Sequence, residues 1–178
     1  DSEADRAASP ASWRARAAKA AAKQPFADLR ALEDEILVVL EQLEKHISGQ
    51  NWRVAIIHGD FHPDNLLRSE EHLSGIDFGG SHRLPIYKDM ARFLMHLGRR
   101  GLLPSGERWM GVDAALAQAF RTSFDLSPFE AEILLPFFLG VEALLRVENR
   151  NLPDRRIRAA RRMYEGLLSD LTTIAGRL

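Results

Sequence analysis

The chain predicts a mostly helical α+β fold, with four to six helices around a small three-stranded sheet. Three observations carry this expectation. Apolar residues recur at helical spacing through residues 28–47, 90–97 and 157–171. Three short aliphatic runs crowd between residues 53 and 77, too brief for helices and suited to strands. Proline and glycine punctuate the borders between these segments.

In chain order, residues 1–10 are polar and charged and end at Pro10, and read as a linker or the remnant of a preceding segment. One domain is expected over 11–178. Ser12 can cap a helix to about Lys23, stopped by Pro25. Asp28 opens a longer helix with Leu29, Leu32, Ile36, Val39, Leu43 and Ile47 on one stripe, and Gly49 ends it. Strands are expected near 53–57, 65–69 and 73–77, the last two joined through Glu70-Glu71-His72. After Pro85 the helical period returns, with Met90, Phe93, Leu94 and Leu97, and stops near Gly98 or Gly101. A loop through Pro104-Ser105-Gly106 leads to a helix near 108–124. Ser127, Pro128 and Glu130 form a helix start of the capping-box kind, for a helix running to Arg150 with Pro136 bending it. Asp154 begins a last helix, with Ile157, Tyr164, Leu167, Leu168 and Leu171 turned inward. Arg155, Arg158, Arg161 and Arg162 fall on its opposite side as a solvated basic face.

Composition bounds the function. With 178 residues, 46% of them apolar, the chain can bury one core. Its net charge of −1 gives no global reason to bind nucleic acid or an anionic membrane. The absence of cysteine removes disulfides and thiol catalysis, and fits a reducing cytosol, so a cytoplasmic location is expected. Ile133 to Val141 is the longest apolar stretch; it contains Pro136 and Gly140 and is too short to span a bilayer.

The chemistry is concentrated in His58-Gly59-Asp60-Phe61-His62-Pro63-Asp64-Asn65 and, seventeen residues after Asp60, Asp77-Phe78-Gly79. An acid, an amide oxygen and a second acid within one short stretch are what aligns a hydroxyl with Mg-bound ATP. The spacings match H-R-D-x-x-x-x-N followed by D-F-G, with Gly59 in place of arginine. Asp60 would accept a hydrogen bond from the substrate hydroxyl. Asn65 and Asp77 offer the hard oxygens that suit Mg2+. Pro63 stiffens the turn between them.

These residues, with Ile76-Asp77-Phe78 and Asp89-Met90-Ala91, resemble the aminoglycoside phosphotransferase and choline kinase superfamily, over about residues 26 to 98. The glycine and second histidine of its H-G-D-x-H-x-x-N loop separate it from protein kinases. The resemblance implies the C-terminal lobe of a protein-kinase-like fold, and transfer of phosphate from ATP to a small-molecule hydroxyl. It further implies Asp60 as base, Asn65 and Asp77 as Mg2+ and nucleotide ligands, and Asp89 as a brace for the loop backbone. His58 and His62 read as loop-supporting hydrogen-bond partners.

Two other readings stand beside this one. The His-x-Asp-x-His-x-Asp string could line one face of an extended segment as a metal-hydrolase cluster, although His72, His82 and His96 are scattered. A kinase-like module that only binds or scaffolds is the alternative from a different class. Such an enzyme needs an N-terminal lobe with a glycine-rich loop and a strand lysine. The first 57 residues hold one glycine, Gly49, and no G-x-G pattern. The expectation is therefore a catalytic lobe whose partner is that missing lobe, inactive alone, with exposed apolar surface where the lobe would dock. The acceptor stays open: Glu142 and Glu148 could hold a cationic substrate, Arg146 and Arg150 an anionic one.

Overall fold

A computed structural model describes residues 9–178. The expected linker over 1–10 therefore lies mostly outside the described residues. Ser9 accepts a hydrogen bond from the Ser12 amide and caps α1 (Pro10–Ala21), so the cap sits three residues earlier than expected. Proline suits the first helical turn because its missing N–H has no intrahelical partner there. α2 (Ala27–Ile47) buries Leu29, Ile36, Val39, Leu43 and Ile47, the stripe its spacing predicts.

Four short strands follow: β1 (Val54–Ile57), β2 (Leu66–Arg68), β3 (Leu73–Gly75) and β4 (His82–Pro85). They do not form one three-stranded sheet. β2 pairs antiparallel with β3 across a tight turn, while β1 pairs antiparallel with β4, Ile57 facing His82. β4 went unforeseen because its His-Arg-Leu-Pro sequence lacks any apolar alternation. The β2–β3 ribbon is thus an excursion between β1 and β4.

α3 (Tyr87–Arg100) ends at Gly101, whose φ of 69° is the left-handed conformation a helix C-terminus favours. The expected helix over 108–124 is overturned over its first six residues, 108–113. β5 (Arg108–Trp109) and β6 (Val112–Asp113) make a small hairpin, and α4 (Ala114–Ser123) begins after it, capped by Asp113. The hairpin turns at Met110 (φ 54°) and Gly111 (φ 75°), and Gly111 could not carry a side chain, since a Cβ would stand 2.2 Å from the Met163 carbonyl oxygen. The start at Ser127 forms as expected: the Ser127 amide donates to Glu130 at 2.8 Å, and the Glu130 amide donates to Ser127 Oγ at 3.3 Å. A π-turn (Glu130–Leu134) precedes α5 (Leu135–Leu145), absorbing the amide that Pro136 cannot donate. α5 stops at Leu145, short of Arg150. α6 (Asp154–Ala175) closes the fold.

α5 runs through the centre, buried along its whole length from Leu135 to Leu144, which matches its uniformly apolar sequence. Trp13, Trp52, Tyr87 and Phe137 gather around Phe138, with ring centroids 5.5–5.7 Å away. α1, α2, α3 and α6 enclose this axis. The two strand ribbons sit outside the helical core, and Ile56 is 82% exposed, Leu73 66% and Phe78 58%. No helix among the described residues is long and apolar enough to cross a membrane.

Candidate functional site

The loop from His58 to Asn65 leaves β1 and enters β2, with α3 packed beneath it. His58 is buried and bridges the two strand ribbons. Its Nε2 lies 2.7 Å from the Ile76 carbonyl, which can only accept, so the proton sits on Nε2. That leaves Nδ1 to accept from the Asp60 amide at 3.4 Å. Asp89, in the first turn of α3, accepts from the His58 amide at 2.8 Å and the Gly59 amide at 3.1 Å. Burial raises the Asp89 carboxyl above its ordinary range, against the pull of Lys88 and these two amides. Lys88 donates to the Gly59 carbonyl from the same turn.

Gly59 has φ 86°, and a Cβ there would stand 2.1 Å from the Gly80 carbonyl oxygen. The loop therefore touches the turn that follows Asp77 backbone to backbone. This explains why glycine rather than arginine occupies the position. Asn65 donates its side-chain amide to the Asp60 carbonyl at 2.9 Å, and its own carbonyl accepts from Ile76 N–H at 3.0 Å. The register thus sets Asn65 beside Ile76, one residue from Asp77. Asp77 is exposed, in the left-handed conformation at φ 61°, and no other described residue bonds its carboxylate. Asn65 Oδ1 and the Asp77 carboxylate are both hard oxygens, and no cationic side chain among the described residues is bonded to either. Such a set fits Mg2+.

The Asp60 carboxylate is held by two arginines. Arg92 Nε and an Arg146 terminal nitrogen each donate to Oδ1 at 2.7 Å, and His62 Nε2 lies 3.5 Å from Oδ2. Burial would raise the Asp60 carboxyl, but the hydrogen bond and charge of Arg92, with Arg146 and His62, outweigh it and hold the group below its ordinary value. Burial and the charge of Arg92 push His62 down, so its ring is neutral near pH 7. It stacks on His96 with centroids 4.6 Å apart. Burial first, then Arg100 and Arg92, lower His96 to about 4.

The metal-hydrolase string does not assemble. His58 turns away to Ile76, and the donor atoms of His62, Asp64 and His96 alone gather within 4.8 Å. Arg92 sits 3.4 Å from His96 Nδ1, which must therefore accept, so the proton is on the Nε2 that would have to ligate. Arg100 already grips Asp64 with both terminal nitrogens, at 3.2 and 2.8 Å.

Lys88, Arg92, His96 and Arg100 were not foreseen as site residues. They recur every fourth position along α3 and so share the face beneath the loop, a polar stripe opposite the buried Met90 and Leu94. That spacing was readable; their partners 29 to 36 residues earlier were not.

The model of the phosphotransferase enzyme family matches residues 1–130 of the 178. The chain belongs to this family. This phosphotransferase therefore carries its loop, its Asp77 turn and the start of α3 within the matched stretch, while Arg146 and α6 lie beyond it. No curated protein and no solved structure matches the chain.

Proposed function

We propose that this phosphotransferase moves the terminal phosphate of ATP to a hydroxyl of a small molecule. The observation that carries the reading is the arrangement of Asp60, Asn65 and Asp77. Asp60 and Asn65 share one loop, braced by Asp89 from below and by His58 from the side, and the Ile76 amide bonded to the Asn65 carbonyl ties that loop to the residue before Asp77.

Asp60 is the group to receive the acceptor hydroxyl's hydrogen bond and orient its oxygen toward the phosphate. Because the transition state is loose, alignment matters more than base strength. A carboxylate held low by Arg92 suits that role, since it stays ionised at neutral pH. Asn65 and Asp77 would hold Mg2+, which supplies positive charge to the phosphate oxygens when bound. Asp89 and Lys88 fix the Gly59 peptide from its two sides, and so the direction in which Asp60 points. The exposed strands and Phe78 would pack against a segment that covers the nucleotide. A cytoplasmic site of action is part of the same proposal.

The full gene product supplied with labelled ATP, Mg2+ and a panel of alcohols tests this. Asp60→Asn and Asp77→Asn should each lower transfer by about 10²-fold or more with unchanged circular dichroism. Undiminished turnover in either variant sinks the assignment. Mg-dependent nucleotide binding without transfer to any acceptor would favour a binding module instead.

A further inference from the structure

We propose that the acceptor carries an anionic group, a carboxylate or phosphate, in addition to the hydroxyl, and that Arg146 grips it. The inference rests on the phosphotransferase reading above and adds the substrate class.

Four charged residues at the end of α5 and just beyond it could select the acceptor, and the fold withdraws three of them. Glu142 is buried, its side chain 3% exposed, and it lies 3.6 Å from Lys88. Glu148 is also buried and is bound by Arg99. Arg150 turns toward the Pro25 carbonyl at 3.4 Å, in the turn between α1 and α2. No carboxylate from this segment is therefore presented to a cationic acceptor.

Arg146 remains. Its side chain is 48% exposed, and among the described residues its one hydrogen bond is to Asp60 Oδ1. Arg92 already donates to the same oxygen from a side chain only 7% exposed. One carboxylate oxygen thus faces two guanidinium groups, of which the buried one is fixed and the outer one has further N–H donors free. A guanidinium presents those donors in a plane that matches a carboxylate or phosphate edge. An acceptor hydroxyl placed on Asp60 would set its substituents against Arg146. A cationic substituent would be repelled there, and an anionic one would complete the charge of the pair.

The experiment uses compounds that carry an anionic, neutral or cationic group on one polyol frame: glycerate, glycerol 3-phosphate, glycerol and 3-aminopropane-1,2-diol, with glucuronate, glucose 6-phosphate, glucose and glucosamine as a six-carbon ring set. Calorimetric binding to the full gene product with Mg2+ and a non-hydrolysable ATP analogue is read beside transfer from labelled ATP. At least one anionic member should bind tenfold or more tightly than its neutral counterpart, the amine least of all; which anion wins distinguishes carboxylate from phosphate. Arg146→Gln should erase the preference, Arg146→Lys keep part of it, and Arg146→Glu turn it toward the amines. An equal loss for every compound, or a loss of nucleotide binding alone, would assign Arg146 to Asp60 or to ATP and overturn the inference. So would a panel in which no anion outbinds its neutral counterpart. Transfer confined to neutral or cationic alcohols sinks the inference and leaves the kinase reading standing. Anion binding dependent on Arg146 without transfer to any alcohol does the reverse.

Discussion

At the scale of single residues, the site is held by backbone contacts that leave no slack. Gly59 is the sharpest case, because its conformation and the Gly80 carbonyl both forbid a side chain. Gly59→Ala should cost about 2 kcal/mol or more and displace Asp60, which denaturant titration beside the transfer assay would show. An alanine variant of wild-type stability would mean that the Gly59–Gly80 contact is looser than the structure has it. The motif residues were legible because their spacing is local. Arg92 was legible only in hindsight, three residues after Asp89 on the same helical face, because a carboxylate 32 residues away gives it its meaning.

At the scale of elements, the capping box at Ser127 does more than start a helix. Glu130, whose side chain is 13% exposed, accepts from Arg53 at 2.5 Å just before β1 and from Tyr87 at 2.6 Å at the start of α3. Burial would raise the Glu130 carboxyl, yet Tyr87, Ser127 and Arg53 together bring it down to about 2. A carboxyl lowered in the folded state contributes stability above its unfolded pKa, about 4.3, and loses that contribution as pH falls toward the folded value. Glu130→Gln should therefore cost about 2 kcal/mol at pH 7, and the gap to wild type should narrow between pH 5 and pH 3. A gap independent of pH would show that packing, not charge, is what Glu130 supplies. Tyr87 is pushed up to about 12 by burial and by Glu130, so it keeps its proton across this range. Both halves of the capping box were readable, whereas their long-range partners and the hairpin at 108–113 were not. That hairpin depends on Met110 and Gly111 closing against α6, where the Met110 amide donates to Asp170 at 2.6 Å.

At the scale of the whole molecule, a buried polar network ties the helices behind the site. Glu33 of α2 accepts from Gln24 and from Tyr164 of α6, each at 2.8 Å, while Arg99 of α3 binds Glu148 and the Ala143 carbonyl of α5. Burial raises the Glu33 carboxyl, with Gln24, Tyr164 and Arg99 opposing it. Removing one member strands a buried charge, so Arg99→Met should cost about 3–5 kcal/mol, and the double change with Glu148→Met should recover much of it. A fully additive double variant would show that the two side chains act independently. The sequence by itself determined the His58–Asn65 and Asp77–Gly79 motifs, the apolar stripes of α2 and α6, and the helix starts at Ser127 and Asp154. Each of those is written within a few turns of chain, where spacing is geometry. Tertiary structure alone decided that the short strands pair as separate ribbons, because partnership between strands is set by what packs behind them. It also decided which of Glu142, Arg146, Glu148 and Arg150 faces Asp60. All four have the same standing in a sequence, and only burial and the choice of partner separate the charges that hold the fold from the half-exposed one at Asp60.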